Sequence, residues 1–179
     1  MTIIISILQK FQQNARSYQK HNLPNNISNP SYKVIILVHA QNTTLITETC
    51  RQTSNNHLCV STLNSDRRTN TANDKVDIAT ILLLNANDLG IKTLNHIVSL
   101  LRSTKIKPQV RPPLNKCMFI YNSDIKFGLI HVVLNLSQKQ YGFAKDLMEG
   151  VLKSAKSCED NFAKVKSPSP ISGDTKKNG

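Results

Sequence analysis

Residues 114–162 read LNKCMFIYNSDIKFGLIHVVLNLSQKQYGFAKDLMEGVLKSAKSCEDNF, and this segment carries the helical pattern from which the architecture is predicted. Apolar or small residues recur along it in steps of three or four, the period of a helix with one buried face. The two sets are Leu114, Met118, Tyr121, Ile125, Leu129, Val132 and Leu136, then Ala144, Met148, Val151, Ala155, Cys158 and Phe162. The polar segment 137–142 between the sets is short, so it forces antiparallel packing. The stretch therefore predicts a hairpin of two amphipathic helices.

The four cysteines fit two bends in the chain. Residues equally distant from the turn of a hairpin lie side by side, and the midpoint between Cys117 and Cys158 falls at the predicted turn. Cys50 and Cys59 likewise flank the turn-prone cluster at residues 54–56. Of the three pairings that four cysteines allow, the sequence favours the sequential one. In the chain-entropy model the short bridge contributes roughly 2.7 kcal/mol and the long bridge roughly 4 kcal/mol.

A third, longer helix is predicted upstream of the hairpin. Asn73 or Asp74 can cap it, and Asp77 lies in its first turn, where the helix dipole favours negative charge. Its apolar stripe, interrupted by Gly90, consists of Ala79, Leu82, Ala86, Leu89, Leu94, Ile97 and Leu101. Residues 105–113 are basic and contain prolines, so we expect a connector that continues neither helix.

Composition favours an all-α class. The chain has 179 residues, of which 39% are hydrophobic and 5% aromatic, enough for one domain with a modest core. Only 6 Gly and 7 Pro occur beside long stretches of helical period, which argues against a sandwich or barrel. No apolar run is long enough to span a bilayer, so no transmembrane segment is predicted.

The formal net charge is +12, and the basic residues are spread without a dense run. Nucleic-acid motifs are absent from the sequence, so a nucleic-acid partner is not predicted. A positive surface also attracts an anionic polysaccharide such as pectin, or an acidic protein. Charge alone does not choose between these partners.

Both ends of the chain differ in composition from the middle. Residues 1–40 combine a polar stretch with the short apolar run 34–38, which is typical of a disordered extension or of a secretory signal cleaved after Ala40. A buried strand or an irregular extension is the alternative for that run. Residues 41–166 form the predicted helical domain, and residues 167–179 a disordered tail.

Three triplets match the N-glycosylation sequon, beginning at Asn26, Asn42 and Asn135. Asn42 is favoured because it follows the predicted cleavage site. Asn135 lies near a predicted helix end, where access is hindered. We predict glycosylation at Asn42 and Asn135.

The sequence carries no constellation typical of an enzyme. The histidines at 21, 39, 57, 96 and 131 have no metal-ligand spacing with one another or with the cysteines. Glu159 and Asp160 are neighbours on a helix and so point in different directions. A cysteine in a disulfide cannot act as a nucleophile. We therefore predict a binding protein with no catalysis, no cofactor and no metal.

Around its cysteines the chain resembles the plant invertase and pectin methylesterase inhibitor family, and within it the invertase-inhibitor-like pollen allergens. The resemblance covers residues 42–168 and rests on the segments TCRQT (49–53), LCVSTL (58–63), SDRR (65–68), LNKC (114–117) and CEDNF (158–162), with Tyr121, Tyr141, Ala144, Met148 and Ser167-Pro168. It implies an N-terminal helical hairpin beside an antiparallel up-down bundle of four long helices. It also implies secretion to the cell wall (apoplast) or to the vacuole.

The resemblance further implies a non-catalytic inhibitor that blocks the substrate cleft of a plant invertase or pectin methylesterase. Carried over by position, the partner-binding residues are Lys126, Lys139, Gln140, Tyr141, Phe143 and Lys145. The alternative is that these side chains form only a solvated face. Two rival functions remain: a non-inhibitory interaction or allergen-like protein of the same fold, and an intracellular basic helical protein with free thiols.

Two departures from the family pattern affect these expectations. Invertase inhibitors often carry Pro-Lys-Phe where this chain has Tyr141-Gly142-Phe143, so the lysine is missing and the phenylalanine is retained. The family also continues past Ser-Pro into a last long helix, whereas this sequence stops at Gly179. We therefore expect a shortened bundle that exposes apolar surface and is poorly stable, self-associates or has lost inhibition.

Overall fold

The computed structural model describes residues 43–172, and within that range it contains helices and turns and no strand. The predicted all-α class is thereby confirmed. The chain divides into two compact units, one ending at Leu82 and the other beginning at Leu83. The predicted extension 1–40 and the sequons at Asn26 and Asn42 lie outside the described residues, and the domain boundaries stay predictions.

The first unit contains the short N-terminal hairpin. Its helices are α1, residues 43–50, and α2, Asn56–Ser65. The Asn55 side chain caps α2 by accepting a hydrogen bond of 3.0 Å from the backbone N–H of Leu58. Cys50 and Cys59 are bonded, with Cα atoms 5.5 Å apart, and both are fully buried. The predicted pairing across this turn is confirmed.

Helix α3 spans Lys75–Arg102, and its start is fixed by two reciprocal caps. Asp74 accepts hydrogen bonds from the N–H groups of Val76, at 2.7 Å, and Asp77, at 2.9 Å. The carboxylate of Asp77 in turn accepts from the N–H of Asn73 at 2.7 Å. Of the two caps considered from sequence, Asp74 is therefore the one used. Gly90 does not interrupt the helix.

The connection from α3 to α4 corrects one expectation. A 3-10 turn, Pro108–Val110, leads directly into a helix that begins at Arg111, so the prolines at 112 and 113 lie inside its first turn. A proline fits there because the first N–H groups of a helix have no partner within it. The Arg111 guanidinium donates to the carbonyl oxygens of Leu101, at 2.9 Å, and Ser103, at 2.8 Å, and so closes the end of α3.

Helix α4 is continuous and has three parts, the α-helical Arg111–Ile120, the π-helical turn Tyr121–Ile125 and the α-helical Lys126–Ser137. The π turn has a cause in the sequence. Cys117, Tyr121, Ile125 and Leu129 follow one another in steps of four, and in a regular α-helix each such step rotates the side chain by about 40° beyond a full turn. The wider turn compensates for this drift, and all four residues are buried.

Helix α5, Tyr141–Lys164, packs antiparallel to α4. Cys117 and Cys158 are bonded, with Cα atoms 5.0 Å apart, so the predicted hairpin and its disulfide are confirmed. The predicted core face is also correct, since all its members are buried except Met118 and Ala155, which are half-buried. The second unit thus contains an up-down arrangement of long helices.

Residues 165–166 and 170–171 form turns after α5, and Ser172 is helical. Ile171 is 1% exposed, and the Ser169 hydroxyl donates to Glu159 at 3.2 Å. The expected disordered tail is therefore packed at its start, because the side chain of Ile171 is buried. Residues 173–179 lie outside the described range, so the expectation of a missing last helix stays a prediction.

Candidate functional site

Five of the six predicted contact residues lie together at one end of the α4–α5 hairpin. We call residues 138–147 the hairpin end; the five are Lys139, Gln140, Tyr141, Phe143 and Lys145. Lys126 lies apart, roughly 18 Å along α4 at the normal helical rise. Its ammonium group stands 5.4 Å from the ring centre of Phe127. The structure therefore joins five of these residues in one place and separates the sixth.

The turn of the hairpin end has a defined backbone conformation. The N–H of Lys139 donates to the carbonyl of Leu136 at 2.9 Å, and the N–H of Gln140 donates to that of Asn135 at 2.8 Å. Lys139 has a φ of 58°, in the left-handed region. This combination is the Schellman motif, which usually places glycine where Lys139 stands. The motif ends α4 and leaves the Lys139 side chain exposed at the tip.

Phe143 is the most exposed apolar residue of the hairpin end. It lies in the first turn of α5 and 69% of its surface is accessible. Tyr141, two residues earlier, is half-buried, and Lys145 pairs with Glu149 at 3.6 Å. A large exposed aromatic ring beside charged groups is typical of a protein contact.

A groove of about 410 Å³ opens beside Phe143, between α4 and α5. Its walls include Asp124, Gly128, Phe143, Asp146, Leu147 and Gly150. The Asp124 carboxylate accepts hydrogen bonds from Ser123, at 2.7 Å, and from Ser154 of the facing helix, at 2.9 Å. Sequence reasoning missed this groove; the signal that could have found it is the pair of glycines inside two predicted helices.

Helix α4 also carries an apolar stripe on the side away from its core face. Phe127, Ile130 and Leu134 are 52%, 47% and 50% exposed. Their spacing of three and four places them on one face, opposite the buried Leu129 and Val132. The amphipathic pattern predicted only the buried face, so this stripe was missed. Exposed apolar surface of this kind often marks an interaction site.

The same apolar character gives α4 one further property. The helical stretch from Pro108 to Ser137 is, among the described residues, the one long and apolar enough to cross a membrane. Core helices of globular proteins meet the same criterion. Leu129, Val132 and Leu136 of this helix are buried within the fold.

The described residues contain neither a free thiol nor a cluster of metal ligands. All four cysteines are in disulfides, so no thiol is available as a nucleophile or metal ligand. Within residues 43–172, no three side chains of His, Cys, Asp or Glu are grouped to hold a metal ion.

Asn135, the predicted glycosylation site within the described range, lies in the last turn of α4. Its side-chain amide donates to the carbonyl of His131 at 2.8 Å, and its own carbonyl accepts from Gln140. Both hydrogen bonds would have to break before a glycosylating enzyme could bind the sequon in an extended conformation. Glycosylation at Asn135 and Asn42 stays a prediction.

Comparison with known proteins identifies a family. The family model described as plant invertase/pectin methylesterase inhibitor matches residues 44–178. That match begins within α1 and includes both disulfides. It therefore covers all the elements that form the site described above.

A relative of known name is also similar. The "Cell wall / vacuolar inhibitor of fructosidase 1" of Arabidopsis thaliana is 30% identical to this chain over 118 residues. The aligned region is 66% of this chain and 56% of that protein, so the chain spans little more than half of the relative's length.

Proposed function

This chain belongs to the plant invertase/pectin methylesterase inhibitor family, and from that premise we propose that it is a non-catalytic protein inhibitor of a plant carbohydrate-active enzyme. The target is an invertase or a pectin methylesterase. Inhibition occurs by occlusion: the hairpin end covers the substrate cleft of the enzyme. Neither a cofactor nor a metal takes part.

The exposure of Phe143 at the hairpin end is the observation that carries this proposal. Because 69% of the surface of Phe143 is exposed, its full burial by a partner contributes about 1–2 kcal/mol. Such aromatic residues frequently dominate the binding energy of an interface. The Schellman turn and the helix α5 fix the backbone that carries the ring, which lowers the backbone entropy lost on binding.

The groove next to Phe143 suits a partner side chain that is both apolar and basic. Leu147 and the two glycines provide an apolar floor, and the carboxylates of Asp124 and Asp146 stand at its edge. Lys139 and Lys145 lie on the neighbouring surface and suit acidic groups of the enzyme. This alternation of charge gives the contact a defined orientation.

The disulfides support a proposal about the place of action. Two buried disulfides are characteristic of proteins that fold in an oxidising compartment. The relative is named a cell wall and vacuolar inhibitor. We therefore propose secretion to the apoplast, with the vacuole as the other destination.

Inhibition assays against a purified plant invertase and a purified pectin methylesterase test the proposal. We expect inhibition of one of them, weakened about tenfold or more by Phe143→Ala, since an interface hot spot is worth about 2 kcal/mol. Phe119→Ala is the matched control, because Phe119 is equally exposed, at 69%, and lies far along α4 from the hairpin end. Phe119→Ala should change inhibition less than twofold.

Two results would contradict the proposal. A folded, monomeric protein that inhibits neither enzyme would favour the non-inhibitory interaction or allergen-like function. Equal loss of inhibition in both phenylalanine variants would place the contact elsewhere than at the hairpin end.

A further inference from the structure

A second groove, of about 580 Å³, lies between α4 and α5 near the end opposite the hairpin end. We call it the lysine groove; its polar and aromatic lining comprises Asn115, Lys116, Phe119, Ser157, Asn161 and Lys164. The α5 members follow at steps of four and three, so they share one helix face. At the helical rise, Phe119 is roughly 28 Å from the hairpin end.

The two lysines of this groove are available for an external anion. Lys116 and Lys164 are exposed, one on each helix, and neither forms an ion pair with any residue in the described part of the chain. The acidic residues nearest to Lys164 in sequence are already engaged. Asp160 pairs with Lys156 at 2.6 Å, and Glu159 accepts a hydrogen bond from Ser169 at 3.2 Å.

Uncharged polar groups lie between the two lysines. Asn161 is 8% exposed, and its amide Nδ2 donates to the carbonyl of Ser157 at 2.8 Å, which fixes the orientation of the side chain. Its Oδ1 receives no hydrogen bond from a described residue. Asn115 and the Ser157 hydroxyl add exposed donors and acceptors. Such groups match the hydroxyls of a sugar, which both donate and accept.

Phe119 supplies an apolar face at the rim of the groove. Phe119 is 69% exposed, whereas Cys117, two residues earlier on the same helix, is fully buried. The C–H face of a sugar ring is apolar and can cover such a ring. An aromatic face, amide and hydroxyl groups and two cations together match a sugar that carries a carboxylate.

The groove is also held rigidly. Lys116 and Ser157 are direct neighbours in sequence of Cys117 and Cys158, whose disulfide fixes α4 and α5 at this point. Ligand binding therefore costs little ordering of the backbone. The disulfides also indicate an oxidising compartment, where an acidic polysaccharide is a more common polyanion than a nucleic acid.

We propose that the lysine groove binds an acidic oligosaccharide built of uronic acid units. One uronate carboxylate pairs with Lys116 or Lys164, and its ring lies against Phe119. This site is separate from the hairpin end, so the protein can be held on an acidic polymer while the hairpin end remains free. The overall charge of +12 adds a non-specific attraction, which the experiment must separate from binding in the groove.

The test is calorimetric titration of the full chain with a hexamer of galacturonic acid at physiological salt. We expect binding that Lys116→Ala/Lys164→Ala weakens at least tenfold and that Phe119→Ala weakens several-fold. The charge-matched control is Arg51→Ala/Lys92→Ala, two exposed cations outside the groove; it should change the Kd less than twofold. The fully methyl-esterified hexamer, which has no charge, should bind at least tenfold more weakly.

Several outcomes would overturn the proposal. They are absence of binding, equal weakening by the control pair, equal binding of the esterified hexamer, and tighter binding of a single-stranded oligonucleotide of equal charge. Enzyme inhibition by Lys116→Ala/Lys164→Ala should be unchanged. Loss of sugar binding with intact inhibition therefore separates this site from the hairpin end.

Discussion

Gly128 of α4 lies so close to Val151 of α5 that a Cβ atom added to the glycine would stand 2.6 Å from Cγ2 of the valine. Real Cβ atoms do not approach other carbons this closely, so the two helices can meet here only because one residue has no side chain. The contact also shapes the groove beside Phe143. This contact explains why a glycine occupies the middle of a helix, where it lowers helix stability by about 1 kcal/mol relative to alanine.

Gly128→Ala should destabilise the protein. Overpacking costs about 1–3 kcal/mol, and the gain in helix propensity recovers about 1 kcal/mol of it. The matched control is Gly150→Ala, because a Cβ there meets nothing within 4 Å. That variant should be more stable by about 0.5–1 kcal/mol. Urea unfolding of the two variants checks the opposite signs, and a stabilised Gly128→Ala would refute the close packing.

The double variant Gly128→Ala/Val151→Ala tests whether the valine is the cause. Removing the valine methyl groups makes room for the new Cβ, so the two changes should not be additive. We expect a coupling free energy of about 1 kcal/mol or more in the double-mutant cycle. Strict additivity would mean that the glycine is required for another reason.

The two disulfides should differ in their contribution to stability. Cys117 and Cys158 are 41 residues apart and Cys50 and Cys59 only 9, so the longer loop restricts the unfolded chain more. We expect a loss of roughly 4 kcal/mol for Cys117→Ser/Cys158→Ser and roughly 2.7 kcal/mol for Cys50→Ser/Cys59→Ser. Thermal unfolding under identical conditions shows which variant loses more stability. A larger loss for Cys50→Ser/Cys59→Ser would contradict the loop-entropy explanation.

Lys139→Gly should stabilise the hairpin end. Lys139 has a φ of 58°, which costs a residue with a Cβ about 1 kcal/mol, and glycine avoids this strain at some cost in unfolded-chain entropy. The net gain should be about 0.5 kcal/mol. Gln138→Gly is the control, since its φ of −86° suits any residue, and it should lower stability slightly. Chemical denaturation in which Lys139→Gly is the less stable of the two would argue against the Schellman turn.

Asp74→Ala should remove the cap of α3. Asp74 accepts two backbone hydrogen bonds, so its loss should cost about 1 kcal/mol. Asp74→Asn keeps the acceptor and should retain most of the stability, whereas Lys92→Ala, at an exposed position within the helix, should have almost no effect. Equilibrium unfolding of the three variants checks this, and equal losses for Asp74→Ala and Asp74→Asn would show that charge rather than the hydrogen bonds matters.

The elements that the sequence predicted correctly are those set by local periodicity and symmetry. The steps of three and four that bury Leu114 and Phe162, and the equal distances of Cys117 and Cys158 from their turn, depend on residue order alone. Hence both helices and both disulfides could be derived before the structure.

The features that the sequence did not predict depend on contacts between distant residues. The grooves arise where the side chains of α4 and α5 leave space between the helices. The distance between the two helices, as at Gly128 and Val151, cannot be predicted from a local sequence pattern. The π turn at Tyr121–Ile125 lies between these two cases. The successive steps of four that cause it are visible in the sequence, but the sequence pattern alone predicts a regular α-helix. The order of Ile171 was missed because its surroundings are polar and contain prolines.

The dependence of inhibition on substrate concentration shows whether this protein closes the substrate cleft of its target with the hairpin end. With the enzyme that the wild-type protein inhibits, we expect competitive kinetics, in which KM rises with inhibitor concentration and kcat is unchanged. Phe143→Ala should show the same pattern with a larger inhibition constant. A lowered kcat at constant KM would contradict the account, because it would mean that the protein binds away from the cleft.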